Sequence, residues 1–339
     1  MRLVTFSQGG GSPRLGAVLG KWDRWDAIVD LHAADPALPV DMRTFVDLAG
    51  SLAGETWDRA RRVLRDSGRL DHESGPAKTF RPDEVRIHAP IMPRLLRDFL
   101  AFRGHVARAR AAIGSGVAPE WDRTPAYFNE NHLNVIGPGD VVPRMQYEIF
   151  EGGVAKTVET QRLDYEAEVG FVLGVSGHRI EARDANAHLF GVTIFDDFSA
   201  RDIQLIATKV GMGPAPGKDW ANALGPCIVT RDEFGELKDQ RIAVRVNGEE
   251  RLRERYHDMV YKNPFVKEGE RAVWTFPEKV EVLSRSQAIH AGEVWGSGTI
   301  PGGCELERGD QARYLRPEDR VEIEIEGIGV LANSVATSL

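Results

Sequence analysis

Two glutamates stand two positions apart at the start of a strand-like run. Glu166 and Glu168 lead into the apolar stretch Val169–Val175, and residues two apart on a strand project from the same face. Neighbouring carboxylates repel each other and are costly to bury without a partner. A hard divalent cation such as Mg²⁺, Mn²⁺ or Ca²⁺ would remove that cost. A solvated strand face explains most such pairs equally well, so the pair alone indicates a metal site only weakly.

A second acidic cluster follows the next apolar run, Leu189–Phe195. Asp196 and Asp197 stand where that predicted strand ends, and the end of a strand is well placed to point a side chain into a cleft. The cluster also suits the N-cap of a following helix, a position that Asp197 or Ser199 would fill. The two interpretations are compatible.

His105 follows Asp98 by seven positions, close to two turns of an α-helix. The apolar residues between 94 and 113 recur at steps of three and four, which predicts a helix over this range. Both side chains would then project from one side of the helix, at the edge of its apolar face. A surface aspartate and a partly buried histidine is the simpler interpretation of that placement.

Two glycine-rich segments add further candidates. Lys218 follows Pro216-Gly217. A lysine in such a loop is usually solvated, but one aimed at a bound anion would stabilise charge on a substrate oxygen. The second segment, Gly296-Ser297-Gly298-Thr299, contains glycines that would allow the backbone to approach a ligand closely.

The composition argues against several classes of protein. The 339 residues carry a net charge of -8 with a pI of about 5.7, whereas a nucleic-acid-binding protein normally has a basic patch. Cys227 and Cys304 lack metal-ligand spacing and do not suggest a disulfide framework, which fits a reducing cytosol. The sequence shows neither a signal peptide nor the ~20 apolar residues of a membrane span. We therefore expect a cytoplasmic protein that binds neither nucleic acid nor membranes.

The apolar runs predict a mainly β protein with some α-helix, in two parts. Residues 1–85 are predicted to form a small N-terminal β-rich domain. In it, strands at 2–6 and 14–19 flank a glycine-rich turn that lacks the Lys-Ser/Thr ending of a phosphate loop. A helix is predicted over 55–66 and a linker over 74–82. Residues 86–339 are predicted to form the catalytic domain, with a hairpin turn at Asn247-Gly248. Its predicted strands are 86–89, 169–175, 189–195, 227–230, 242–246, 321–325 and 330–335.

In their order along the chain, these segments resemble the fumarylacetoacetate hydrolase family. The resemblance runs from about residue 98 to residue 335 and is carried by four motifs. They are Leu163-Asp164-Tyr165-Glu166-x-Glu168, Asp197-Phe198-Ser199-Ala200-Arg201-Asp202-Ile203-Gln204, Gly217-Lys218-Asp219 with Leu224-Gly225-Pro226, and Gly296-Ser297-Gly298-Thr299. The resemblance implies the β-rich catalytic fold of that family, a mixed β-roll, preceded by the small N-terminal domain.

The resemblance also implies roles for particular residues. Lys218 is similar to the cation that stabilises a developing enolate, His105 to the base that activates water, and Glu307 to the carboxylate that orients that base. The implied metal ligands are Asp98, Glu166, Glu168 and Asp197. The implied substrate-binding residues are Gln204, Thr299 and Tyr127, with Phe128 as the alternative to Tyr127.

Three positions depart from the family pattern. Leu100 stands where the fumarylacetoacetase branch has a substrate-lining tyrosine, and Asp196 replaces a more usual asparagine. No arginine aligns with the one that grips the far end of the substrate, although Arg108 and Arg110 are nearby in sequence. These differences leave the implied metal ligands intact but argue against fumarylacetoacetate itself as the substrate.

The resemblance therefore implies a metal-dependent hydrolase that cleaves a carbon–carbon bond in a β-diketo acid or an acylpyruvate. Mg²⁺ is the expected ion, with Mn²⁺ or Ca²⁺ as alternatives, the partner is a small oxo-acid, and a homodimer is expected. The same metal site would also serve an oxaloacetate-type decarboxylase, a keto–enol isomerase, or a sugar-acid hydrolase or dehydratase. A non-catalytic metal-binding protein is a third interpretation. It would lack the base or the lysine, and both are present.

Overall fold

The computed structural model describes residues 1–68 and 79–337. The predicted linker at 74–82 falls partly outside this range. The strands are β1 (Arg2–Ser7), β2 (Arg14–Lys21), β3 (Arg24–Asp30), β4 (Thr79–Phe80), β5 (Arg86–His88), β6 (Leu96–Phe99), β7 (Tyr127–Glu130), β8 (Val135–Ile136), β9 (Val141–Val142), β10 (Gln146–Glu151), β11 (Val154–Glu159), β12 (Leu163–Asp164), β13 (Ala167–Leu173), β14 (Leu189–Asp197), β15 (Ser199–Ala200), β16 (Asn222–Thr230), β17 (Arg241–Val246), β18 (Glu249–Arg255), β19 (Val294–Gly296), β20 (Arg320–Ile325) and β21 (Gly329–Val335).

The helices are fewer and short. They are α1 (Leu31–Ala34), α2 (Met42–Ala49), α3 (Glu55–Ser67), α4 (Arg103–Ala112), α5 (Arg201–Lys209), α6 (Arg231–Phe234), α7 (Tyr256–Tyr261) and α8 (Phe276–Ser284), with 3-10 turns at Pro82–Glu84, Pro119–Asp122, Ala182–His188, Ala215–Gly217 and Leu306–Gln311. Among the described residues, no helix has the length and apolar character needed to cross a membrane. The predicted β-rich fold with some helix is confirmed.

One large sheet organises the molecule. Its main path runs β4-β3-β2-β1-β16-β14-β13-β19-β6-β7, and a smaller sheet runs β18-β17-β20-β21-β9. The central strands β13, β14 and β16 are buried along their whole length. Strands covered on both faces read as continuous apolar runs, which is why these segments could be recognised in the sequence.

The two faces of the large sheet carry separate apolar cores. One core includes Phe99, Val169 and Phe171, and the other includes Leu96 and Phe195 together with residues of α2 and α3. The odd and even positions of each strand therefore go to different cores, as the two-residue period of a strand requires. At one end of the second face, carboxylates take the place of the apolar residues.

The N-terminal segment extends the same sheet. β1 pairs antiparallel with β16, with Leu3 opposite Ile228, and Leu3 lies in the same core as Phe195 and Val294. The hairpin between β1 and β2 contains the glycine-rich turn, so that turn has the predicted role. The strands on either side of residue 85 belong to one continuous sheet. The division of the chain into two domains there stays a prediction.

Most predicted elements are present with small shifts at their ends. The hairpin between β17 and β18 turns at Asn247 and Gly248, with φ of 53° and 77°. Positive φ at both central residues is typical of a type I′ turn, which matches the twist of the flanking strands. The helix predicted at 55–66 is α3.

The helix predicted over 94–113 is wrong in its first half. Residues 96–99 form β6, which lies between β19 and β7, and the helix begins only at Arg103. All four residues of β6 are buried, because this strand packs on both faces and pairs along both edges. Apolar residues at steps of three and four fit that environment as well as a helical stripe. Asp98 and His105 are therefore positioned by a strand and a helix, respectively.

Candidate metal centre

Four carboxylates meet at one end of the large sheet. One ligand oxygen from each lies within 4.8 Å of the others, and all four side chains are buried. They are Asp98 in β6, Glu166 just before β13, Glu168 in β13, and Asp197 at the end of β14. The structure thus brings together the four residues predicted as metal ligands.

The strand register explains why these side chains converge. Glu168 lies opposite Phe195 in the β13–β14 ladder, and cross-strand partners share a face. Phe195 and Asp197 are two residues apart, so Asp197 projects from that same face. Asp98 is two residues from Leu96, which packs in the same core as Phe195. Three strands of the large sheet therefore present carboxylates to one space, with β19 lying between β13 and β6.

Several of these oxygens have no partner among the described residues. Asp98 Oδ1, Glu168 Oε1 and Asp197 Oδ1 are buried and accept no hydrogen bond. Burial, together with the neighbouring carboxylates, raises the pKa of Asp98, and it raises the pKa of Glu168 and Asp197 further. Oxygen ligands with free lone pairs and mutual repulsion fit a hard divalent cation.

Two cationic side chains offset part of the negative charge. The Lys218 ammonium donates to both Glu166 and Asp197. Arg201 donates to Asp164 at 2.9 Å and to Glu166 at 2.7 Å. Burial opposes ionisation of Glu166, but Arg201, Lys218 and His105 outweigh it and lower its pKa. Burial likewise opposes the charge on Lys218, yet Asp197, Glu166 and Asp98 raise its pKa well above the usual value.

Two further aspartates hold the backbone of the site. Asp164 accepts hydrogen bonds from the backbone N–H groups of Glu305 and Leu306. Asp196 accepts one from the Glu166 N–H at 3.0 Å. Asp196 thus fixes the backbone of the segment that carries Glu166.

The predicted base and its orienting carboxylate are in contact. His105 Nδ1 lies 2.8 Å from Glu307 Oε1, and the other Glu307 oxygen accepts the Gly302 N–H at 2.8 Å. This leaves Nε2 as the ring nitrogen that can exchange a proton with a ligand. Cys304 Sγ lies 4.0 Å from the same Nδ1, but burial raises the pKa of its thiol. A protonated thiol is a poor metal ligand, so we interpret the histidine and glutamate as a proton-transfer pair.

Two predicted substrate-binding residues lie near this centre. Gln204 is in the first turn of α5, where its Oε1 accepts from Arg201 at 3.1 Å. Thr299 is buried and follows Gly298, whose N–H donates to Glu168 at 2.9 Å. Their roles in binding substrate stay predictions.

Tyr127 and its alternative Phe128 lie on opposite faces of β7, and only Phe128 faces the carboxylates. Tyr127 lies opposite Phe99, its ring packs on Phe99, and its hydroxyl accepts from Gln287. It therefore faces the other core. Phe128 lies opposite Asp98, and its ring centroid is 5.8 Å from the Lys218 nitrogen. A one-residue change along a strand moves the side chain to the opposite face.

Sequence reasoning missed three polar residues at the site. Arg201 lies within a recognised motif, and its place in an acidic segment was the available signal. Glu130 at the end of β7 and Asn222 at the start of β16 lie in no recognised motif. Burial, followed by the charges of Asp197 and Asp98, raises the pKa of Glu130 well above its usual value.

Gly296 leaves room for the carboxylates. A methyl group at its Cα would lie 2.7 Å from Glu168 Oε2 and 2.8 Å from Asp98 Oδ1. We expect Gly296→Ala to weaken Mg²⁺ binding by at least about tenfold, since losing a group that orients metal ligands typically costs about 10–100-fold in affinity. Isothermal titration calorimetry measures the affinity. Gly116→Ala is the matched control, because its added methyl meets no atom within 4 Å. Equal affinity in the two variants would contradict this account.

The raised pKa values of these carboxyl groups predict how pH affects the stability of the metal-free and the metal-bound protein. A carboxyl whose folded pKa is raised keeps its proton in the folded state after the unfolded chain has lost it. Its contribution to stability therefore falls as pH rises from the unfolded pKa through the folded pKa. A bound cation requires the deprotonated ligands. We expect the rise in melting temperature caused by Mg²⁺ to be larger at about pH 8 than at about pH 5.5. Thermal unfolding with chelator and with Mg²⁺ tests this, and a larger rise at the acidic pH would refute it.

Comparison with known proteins identifies the family. Residues 94–336 match the family model described as fumarylacetoacetate (FAA) hydrolase C-terminal. The chain is 28% identical over 320 residues to oxaloacetate tautomerase YisK of Bacillus subtilis, covering 91% of this chain and 93% of that protein. It is 28% identical over 340 residues to the mitochondrial oxaloacetate tautomerase fahd2 of Xenopus laevis, covering 99% and 90%.

Solved structures show the same fold. The fumarylacetoacetate hydrolase of Exiguobacterium antarcticum aligns with a TM-score of 0.66 at 24% identity, covering 99% of both chains. Maleylpyruvate hydrolase from Sphingobium aligns with a TM-score of 0.64 at 18% identity, again covering 99% of both chains. The matched segment 94–336 contains all four carboxylates, His105, Glu307 and Lys218. The chain belongs to the fumarylacetoacetate hydrolase family.

Proposed function

We propose that this protein is a metal-dependent hydrolase that cleaves the carbon–carbon bond of an acylpyruvate or a related β-diketo acid. The observation that carries the proposal is the His105–Glu307 pair beside four buried carboxylates and Lys218. A base, a site for a cation and a fixed ammonium group are what such a cleavage needs. When bound, a divalent cation held by Asp98, Glu166, Glu168 and Asp197 would supply positive charge for the 2-oxo acid end of the substrate.

His105 acts as the base in this proposal. Its Nε2 takes a proton from water as the water oxygen bonds to the distal carbonyl carbon. Glu307 holds Nδ1 and so fixes the orientation of the ring. When the carbon–carbon bond breaks, its electron pair stays with the pyruvate part as an enolate. The proton on His105 then returns to that carbon, which gives pyruvate and a carboxylic acid.

Lys218 stabilises the enolate charge. Its ammonium is buried and already oriented by Glu166 and Asp197, so little reorganisation is needed as charge develops. Gln204 and Thr299, with Phe128, are proposed to position the substrate around it. Arg201 contributes indirectly, because it holds Glu166 in place.

Keto–enol tautomerisation of oxaloacetate is the second candidate. The full-length relatives that share 28% identity are oxaloacetate tautomerases, and an enolate is common to both reactions. His105 would then take its proton from carbon instead of from water. The residues at the centre serve either reaction, so the relatives are the specific reason to keep this candidate.

One assay separates the two candidates. Chelated protein is resupplied with Mg²⁺ or Mn²⁺, and the loss of the enol absorbance of acylpyruvates and oxaloacetate is followed with products identified by mass. Metal-dependent release of pyruvate and a second acid supports hydrolysis. Faster enol–keto exchange of oxaloacetate without cleavage of any acylpyruvate would replace hydrolysis by tautomerisation.

Other features of the functional assignment stay proposals. We propose Mg²⁺ as the ion, with Mn²⁺ and Ca²⁺ as alternatives, because carboxylate oxygens suit all three. We also propose a homodimer and a cytoplasmic location. Analytical ultracentrifugation and metal analysis of the purified protein address the first two.

A further inference from the structure

Glu130 and Asn222 present unpartnered polar atoms beside the carboxylate cluster. Both Glu130 oxygens, and both the oxygen and the nitrogen of the Asn222 amide, are buried without a hydrogen-bond partner among the described residues. The exposed fractions are 4% for Glu130 and 0% for Asn222. Buried polar groups normally find partners, so these four atoms indicate a missing ligand.

The strand register places both side chains on the face that carries the carboxylates. Asn222 lies directly opposite Asp197 in the β14–β16 ladder. Glu130 lies opposite Leu96, two residues from Asp98 along β6, and it interacts with both Asp197 and Asp98. The two side chains therefore both adjoin Asp197, next to the proposed position of the 2-oxo acid.

The chemistry of the pair selects a hydroxyl group. A carboxyl oxygen of Glu130 can accept from a hydroxyl, and the Asn222 amide can both donate to it and accept from it. A second carboxylate on the substrate is disfavoured there, because neither Glu130 nor Asn222 offers a positive charge and both adjoin carboxylates that already repel one another. An alkyl group would leave all four polar atoms unsatisfied.

We infer that Glu130 and Asn222 form a specificity subsite for a hydroxyl group on the chain beyond the 2-oxo acid. This inference rests on the proposed function, since it assumes that a 2-oxo acid binds at the carboxylate cluster. It deepens that function by naming the substrate class as a hydroxylated oxo-acid with a single carboxylate.

The test compares two ligands that differ by one hydroxyl. Titration calorimetry of the Mg²⁺-loaded protein measures the Kd of 4-hydroxy-2-oxopentanoate and of 2-oxopentanoate. We expect the hydroxylated acid to bind at least about tenfold more tightly, since an unmade hydrogen bond to a buried polar group has that effect or more. Glu130→Met and Asn222→Leu should each remove most of the difference. Glu130→Gln, which keeps an acceptor oxygen, should retain part of it.

Controls separate this inference from its alternatives. Asn129→Ala changes the neighbouring residue on the opposite face of β7 and should leave the preference intact. Equal Kd values in the unmodified protein would overturn the inference. A parallel loss of Mg²⁺ affinity in Glu130→Met would overturn it as well, because Glu130 would then be an ion ligand. If the protein turns over acylpyruvates or oxaloacetate but shows no hydroxyl preference, the inference alone fails. Absence of metal-dependent turnover and of binding by either acid would remove the proposed function too.

Discussion

Replacing His105 with alanine should lower kcat by about 10²–10⁴-fold, the contribution of a positioned general base, while Mg²⁺ affinity stays within about threefold of the unmodified value. The two effects separate because His105 contacts Glu307 and is not one of the four clustered carboxylates. Steady-state kinetics and titration calorimetry measure the two quantities on the same preparation.

Cys304→Ala is the matched control for the histidine variant. The thiol touches both His105 and Glu307 but is kept protonated by burial, so its loss should change kcat by only a few-fold. A parallel fall of activity and Mg²⁺ affinity in His105→Ala would show that the histidine supports the ion instead of moving a proton. Full activity in that variant would place the base elsewhere.

Replacing Lys218 with methionine should move two measurements in opposite directions. Turnover should fall by about 10²–10³-fold, as expected when one preorganised group that stabilises an oxyanion is removed. Mg²⁺ affinity should rise, because the ammonium contacts Glu166 and Asp197 and repels a second cation in the same space. Kinetics at saturating Mg²⁺ and calorimetric titration separate the two effects.

Lys279→Met provides the comparison for this second prediction. Lys279 is also buried, and burial lowers its pKa to about 8. Its ammonium lies 4.6 Å from the centre of the Phe99 ring on the other face of the sheet, and it forms no ion pair with the four carboxylates among the described residues. Turnover should remain close to normal in this variant. A fall in Mg²⁺ affinity in Lys218→Met would contradict the account, since it would mean that the lysine organises the ligands.

The contrast between local and long-range information explains which features the sequence could predict. Glu166 and Glu168 belong to one strand, so their shared face follows from the two-residue period alone. β13, β14 and the second half of β16 were recognisable because strands buried on both faces are continuously apolar. His105 and Glu307 are 202 positions apart, and only the family resemblance could connect them.

The errors arise where pairing with distant strands decides the structure. β6 carries an apolar pattern that also fits a helix, and its conformation is set by β19 and β7. The distinction between Tyr127 and Phe128 depends on the register of β7 against β6, which no local property specifies. Glu130 and Asn222 were invisible for the same reason. Each is an isolated polar residue until the ladders bring it beside Asp197.

The pairing of β1 with β16 has a consequence for how the chain acquires its structure. Leu3 and Ile228 are neighbours in the sheet although most of the sequence separates them, so this ladder has a high contact order. Contacts of that kind form slowly, because a long loop must close before they contribute free energy. During synthesis β1 can pair with β2 at once but must wait for β16 to emerge, and Asn222 begins that same strand. β5 can cover the Thr5–Ser7 part of the other edge of β1 earlier, but the part at Arg2 and Leu3 stays unpaired until β16 emerges. An unpaired strand edge is prone to aggregation, so the nascent chain is exposed to that risk before the carboxylate cluster is complete.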